Sequence, residues 1–150
     1  MQHLWLPQAG LPVTLHVLEL GLACCGIEVR EARRLIAEAG GLERPTQEAP
    51  GAESPAPLNV LVVAGTVTTQ LAPLLVEALS GLPTPRAVLA FGACAATGGP
   101  YWDSYAVLPG AHEVIGVDGW VAGCPPRPAD LLAGLEEVAH AALGAGRAVR

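Results

Sequence analysis

The sequence predicts one α/β domain: a small doubly wound, flavodoxin-like parallel sheet of about four strands flanked by helices. Three observations carry that expectation. Short continuous apolar runs, as strands buried on both faces require, alternate with stretches whose apolar residues recur at helical spacing. Turn residues rich in Gly and Pro close nearly every run. A length of 150 residues with a hydrophobic fraction of 51% suffices for one buried core.

Residues 13–20 mix Val, Leu and Thr without helical caps and stop at Gly21, which reads as a first strand delivering Cys24 and Cys25 in a loop. A helix follows over residues 27–39: Ala32, Leu35, Ile36 and Ala39 repeat at helical spacing, Arg34 and Glu38 pair one turn apart, and Gly40-Gly41 ends the run. Residues 43–57 are rich in Pro, Glu, Ala and Ser without apolar periodicity, and read as a flexible loop. NVLVVA (residues 59–64) is the second strand, turned by Gly65-Thr66-Val67-Thr68 into a helix over residues 70–80 with Pro73 near its start. Residues 87–91 form a third strand that delivers Cys94, and residues 114–117 a fourth, after which residues 120–123 lead into Cys124. The closing helix starts at Pro128 and buries Leu131, Leu135, Val138 and Ala142. Open sheets of this kind bind ligands beyond the carboxyl ends of their strands, where all four cysteines fall.

Composition excludes several roles. A formal charge of −6, with arginine supplying all eight basic residues, leaves no basic stripe for nucleic acid. A mean hydropathy of +0.43 with 15% charged residues implies apolar surface that a large partner covers. The longest apolar stretch, residues 11–29, carries His16, Glu19 and Glu28, so no transmembrane segment is expected. The first arginine is Arg30, so no basic region of a secretory signal precedes it, and the expected location is the cytosol or a cytosol-facing surface. Neither a P-loop nor a dinucleotide fingerprint is present, and nucleotide chemistry falls to another subunit.

The four cysteines occupy three Gly-rich settings: LACCGIE, FGACAATGG and VAGCPPRP. In a reducing compartment such cysteines are more naturally metal ligands than disulfides. Structural zinc usually takes paired knuckles two to four residues apart, and none exists here. Adjacent cysteines in an extended segment point to opposite sides, which suits a broad [4Fe–4S] cluster, each iron taking one sulfur, better than one small ion. A zinc-stapled module, four buried structural cysteines, and a strained bond between Cys24 and Cys25 are the alternatives.

Other residues carry two readings each. Gly92 and Gly98-Gly99-Pro100 either bring backbone close to a cluster or simply make tight turns. Pro125-Pro126 stiffens the Cys124 loop or is a merely structural turn, and Arg127 either places charge near the site or tethers a partner carboxylate, or is a solvated surface residue. Glu28 is a helix-start carboxylate or a proton-coupled acid. Asp103, Ser104 and Tyr105 line a channel or serve the turn. His16 reads as a satisfied core or edge residue, and His112 and His140 as exposed.

The strings GLACCGIE (residues 21–28), VAGTVT (63–68), GACAATGGPYWDSYAV (92–107) and GCPPRP (123–128) resemble the B subunit of NADH-quinone oxidoreductase, bacterial respiratory complex I, over residues 11–143. The tandem cysteines are the most selective element, since the related small subunits of [NiFe] hydrogenases separate the corresponding pair by two residues. The resemblance implies that Cys24, Cys25, Cys94 and Cys124 ligate the terminal [4Fe–4S] cluster, which passes electrons singly to quinone at the interface with a large hydrogenase-like D (49 kDa-type) subunit. It implies an NADH dehydrogenase and translocase subunit, not catalytic alone, peripheral on the cytoplasmic face of the cell membrane. A subunit of a membrane-bound hydrogenase-like or ferredoxin-fed oxidoreductase is the redox alternative. Departures from the family pattern are the short segment before VAG, with Ala56 and Asn59 in place of an arginine and an aspartate, and Val29 and Arg30 where methionines commonly follow the ACCxIE motif. In the resemblance both regions help shape the quinone side of the pocket.

Overall fold

The structure, a computed structural model, describes residues 2–6, 11–20, 24–38 and 57–144. Its centre is a five-stranded sheet in chain order: β1 (Gln2–Leu6), β2 (Leu11–Leu20), β3 (Leu58–Gly65), β4 (Arg86–Phe91) and β5 (Gly119–Val121). β2 to β5 are parallel, as expected; β1 is an additional antiparallel edge strand that the apolar pattern did not reveal, pairing Gln2 with Leu15 through Leu6 with Leu11. β3 lies between β2 and β4, and all eight of its residues are buried. That burial explains its apolar run from Val60 to Ala64.

Side chains alternate across the sheet and build two cores. Val60, Val62 and Ala64 of β3 face α1 (Cys24–Glu38) and α4 (Pro128–Gly144), which contribute Val29, Ala32 and Ile36, and Leu131, Leu135 and Val138. Leu61 and Val63 face the other way, toward Leu75 of α2 (Ala72–Ser80) and Ala95 of the short α3 (Ala93–Thr97). Helices therefore cover both faces, the doubly wound arrangement that the alternating pattern predicted.

Two expectations need correction. Residues 114–117 do not form the fourth strand: they follow a 3₁₀ turn at Ala111–Glu113, with the Val114 and Ile115 N–H groups both donating to the Ala111 carbonyl at 3.0 Å. Their apolar side chains pack in the second core, which is why they resemble a strand in sequence. Pairing with β4 begins instead at Asp118, whose N–H donates to Val88 O at 2.9 Å while its carboxylate accepts from Val88 N at 2.8 Å. The second correction concerns α1, which starts at Cys24 rather than Ile27. Cys24 and Cys25 thus occupy a helical first turn, about 100° apart around the axis instead of on opposite sides of an extended chain. The loop expected at residues 43–57 lies, except for Pro57, outside the described residues.

Candidate metal centre at the carboxyl ends of the strands

Because β2, β4 and β5 are parallel, the segments that follow them leave the sheet at one edge. Cys24 and Cys25 open α1, four and five residues beyond Leu20; Cys94 is the second residue of α3, three beyond Phe91; Cys124 stands three beyond Val121. All four are free thiols. Cys25 and Cys94 are buried, whereas Cys24 and Cys124 are exposed.

Gly92 is where the three segments meet. Its φ of +92° and ψ of +164° belong to a region that essentially only glycine adopts. A Cβ there would lie 2.3 Å from Cys25 Sγ and 3.3 Å from Cδ of Pro126, two residues past Cys124. The Gly92 N–H donates to Val121 O at 2.9 Å and the Ala93 N–H to Gly123 O at 2.8 Å, which ties the Cys94 turn to the chain leading into Cys124. Gly99 does the same for Cys94: at φ +56°, a Cβ would stand 2.8 Å from Cys94 Sγ. Backbone thus runs against two of the thiols at the two glycine sites that the sequence singled out.

Burial pushes the Cys25 thiol up to about 12, with the neighbouring Cys24, Cys94 and Cys124 adding to the rise. One thiol thus feels the other three. The N–H groups of the first α1 turn, from Cys24 to Ile27, have no carbonyl partner within the helix, and a helix start favours negative charge. Among the described residues, no group of three or more His, Cys, Asp or Glu side chains could hold a metal ion as those side chains stand.

The remaining candidates separate clearly. Arg127 is tied to Asp130, donating from Nη2 at 3.1 Å and from its backbone N–H at 2.9 Å; these bonds hold the Asp130 carboxyl below its ordinary range and secure the start of α4. Arg127 therefore serves the helix cap. Glu28 is half-buried on α1; Asp103 and Tyr105 are exposed, and Ser104 Oγ accepts from Ala106 N within the turn. His16 Nε2 lies 3.1 Å from Oδ1 of Asn59, whose amide donates to the carbonyls of Pro83 and Pro85. His112 stands beside Glu113, and His140 is exposed. Asn59 sits near the amino end of β3, six residues before Gly65, so about 20 Å of strand separates it from the cysteine edge. This departure braces the far end of the sheet and does not line the pocket. Arg30, another of the departures, forms a forked pair with Glu19 near the end of β2, its Nε 2.9 and 3.1 Å from the two carboxylate oxygens. In the sequence Glu19 carries only a faint signal, a lone acid in an apolar strand five residues before Cys24, mirrored by Arg30 five residues after Cys25.

The fold is thus an α/β domain whose four cysteines all follow parallel strands at the carboxyl end of one sheet. The family described as NADH ubiquinone oxidoreductase, 20 Kd subunit, matches residues 23–138, and the chain belongs to it. It is 41% identical over 129 residues to the second of the NADH-quinone oxidoreductase B subunits of Streptomyces griseus subsp. griseus, covering 84% of this chain and 52% of that one. It is 40% identical over 144 residues to the first of the NADH-quinone oxidoreductase B subunits of Salinispora tropica, covering 91% and 73% respectively. The chain thus spans about half to three quarters of the length of these two relatives. In structure it is similar to a chain of the membrane-bound sulfane sulfur reductase, an archaeal respiratory membrane complex: the TM-score is 0.66 at 26% identity, over 89% of this chain and 72% of that one. Among the described residues no helix is long and apolar enough to cross a membrane.

Proposed function

We infer that this chain is an electron-transfer subunit of a NADH-quinone oxidoreductase-like complex, in which Cys24, Cys25, Cys94 and Cys124 hold the terminal [4Fe–4S] cluster. The observation that carries the reading is the meeting at Gly92 of the three segments bearing those cysteines, one of which presses its sulfur to within 2.3 Å of a Cβ position. Family membership supports it. When bound, such a cluster supplies a one-electron carrier. Cubane ligands need not share one point, because each iron takes its own sulfur, so the donor set fits once Cys24 and Cys124 turn inward from the exposed rim. Gly92 and Gly99 leave room for the sulfurs, the α1 first turn offsets thiolate charge, and Pro126 closes the pocket beside Cys25.

On this reading residues 1–150 form a single iron–sulfur domain, peripheral on the cytoplasmic face of the membrane, that passes electrons to quinone at an interface with a large D (49 kDa-type) subunit. The exposed Ile27, Tyr101, Trp102 and Tyr105 lie on segments next to the cysteines and suit such an interface. The likeness to a chain of a sulfane sulfur reductase favours a second reading, in which the partner complex delivers the electrons to an acceptor other than quinone. Anaerobic purification with iron, sulfide and zinc analysis tests the core of both. About four iron and four sulfide per chain, with an EPR signal on reduction, are expected. One zinc per chain and no sulfide sinks the redox reading and leaves a zinc-stapled module.

A further inference from the structure

The turn that carries Cys24 and Cys25 is braced from outside the pocket. Glu19, the penultimate residue of β2, points its carboxylate at α1, where Oε2 lies 3.5 Å from the Cβ position of the buried Gly26. Arg30 stands four residues on from Gly26, hence on the same helix face one turn higher, and grips both oxygens of Glu19 through Nε and Nη2. A single carboxylate therefore touches α1 at two successive turns. The strand end that precedes the cysteines and the helix that they open are held together across it.

The pair is also electrically balanced. Side-chain exposure is 22% for Glu19 and 65% for Arg30, so the acid is the more deeply placed partner, next to the residue that follows Cys25. An exposed ion pair contributes little to folding, so stability alone is a weak reason for this one. Removing either partner, however, leaves one uncompensated charge beside the cysteine turn, of known sign.

We propose that Glu19 and Arg30 are positioning residues for the metal centre: together they fix the Cys24-Cys25 turn, and their mutual neutralisation sets the field that the centre feels. This rests on the reading of the four cysteines as cluster ligands. The test uses the full chain reconstituted anaerobically, with an EPR-monitored redox titration and the rate of iron loss to a chelator. Glu19→Gln frees a guanidinium and raises the midpoint potential. Arg30→Gln frees a carboxylate and lowers it. The double variant returns the potential toward wild type but sheds iron faster. Arg30→Lys keeps the charge and loses the planar fork, so it holds the potential near wild type while iron loss quickens. A purely structural pair moves iron retention in every variant without opposite shifts in potential. Potentials that stay put, or move in the same direction in both single variants, overturn the proposal while the wild-type cluster signal stands. A wild-type chain that takes up no iron overturns it together with the reading beneath it.

Discussion

Replacing Gly92 by Ala tests the convergence of the site most directly, because two independent costs fall on one methyl group. The backbone at φ +92° and ψ +164° lies where a residue with a Cβ is strained by about 1–3 kcal/mol. The methyl would also stand 2.3 Å from Cys25 Sγ and 3.3 Å from Pro126 Cδ, and overpacking of that kind costs about 1–3 kcal/mol more. The sum, about 2–6 kcal/mol, is a large part of the roughly 5–15 kcal/mol that stabilises an ordinary domain. At a urea slope of about 2 kcal/mol per M, the midpoint of the reduced, metal-free chain falls by about 1–3 M. The two costs separate in a double-mutant cycle. In a Cys25→Ala background the sulfur is gone and only the backbone strain and the Pro126 contact remain, so Gly92→Ala costs distinctly less there. An equal penalty in both backgrounds, or an unchanged midpoint in the single variant, would mean that Cys25 does not lie against Gly92, and the geometric case for the pocket would fail.

Single Ser replacements of the four cysteines should each lower bound iron severely, since oxygen is a poor substitute for thiolate on iron; full iron and an unchanged EPR signal in any one removes that residue from the ligand set. Without metal the same variants should divide by burial: those at the exposed Cys24 and Cys124 change the urea midpoint little, while those at Cys25 and Cys94 shift it. The Cys25 thiol also gives a pH signature. Its folded value of about 12 exceeds the ordinary 9.0, so between those values the unfolded chain has released the proton that the folded chain keeps. Stability is unaffected below pH 9 and falls by up to about 1.4 kcal/mol per pH unit above it, and a Cys25→Ala chain should lack this component in urea melts recorded across that range.

The sheet was legible because β3 and β4 advertise themselves. NVLVVA and AVLAF are buried on both faces and need no periodic pattern to be recognised. β5 is hard to place because three residues hold too little signal: Gly119, Trp120 and Val121 offer a shorter apolar run than the VIGV before them, and only the Asp118 hydrogen bonds to Val88 decide where pairing begins. β1 was missed since an edge strand is defined by its partner as much as by its own residues. At the site, the cysteines and the glycines beside them were evident from spacing. The Glu19–Arg30 fork was not, because its two halves lie eleven residues apart on different elements and meet only after β2 and α1 fold together.

On the proposed reading, the division of the cysteines by depth points to where the partner sits. Cys25 and Cys94, at 1% and 3% exposure, each press against a glycine, while Cys24 and Cys124 open to solvent. On that reading the centre must lie close to its acceptor, and the water-exposed side of the site is then covered by the subunit that supplies that acceptor. Tyr101, Trp102 and Tyr105 at 57%, 71% and 100% exposure extend this open side along the chain that follows Cys94. The isolated chain should therefore self-associate, and co-expression with a large D-type subunit should suppress that by mass action. Within the complex, alkylation of Cys24 and Cys124 should slow sharply relative to the isolated metal-free chain. The measurement has an internal control in Trp120, 53% exposed on the edge strand β5. If the partner shields Trp120 from oxidation but leaves Cys24 and Cys124 as reactive as before, the interface lies along strand β5, and the cysteine side is not where electrons leave.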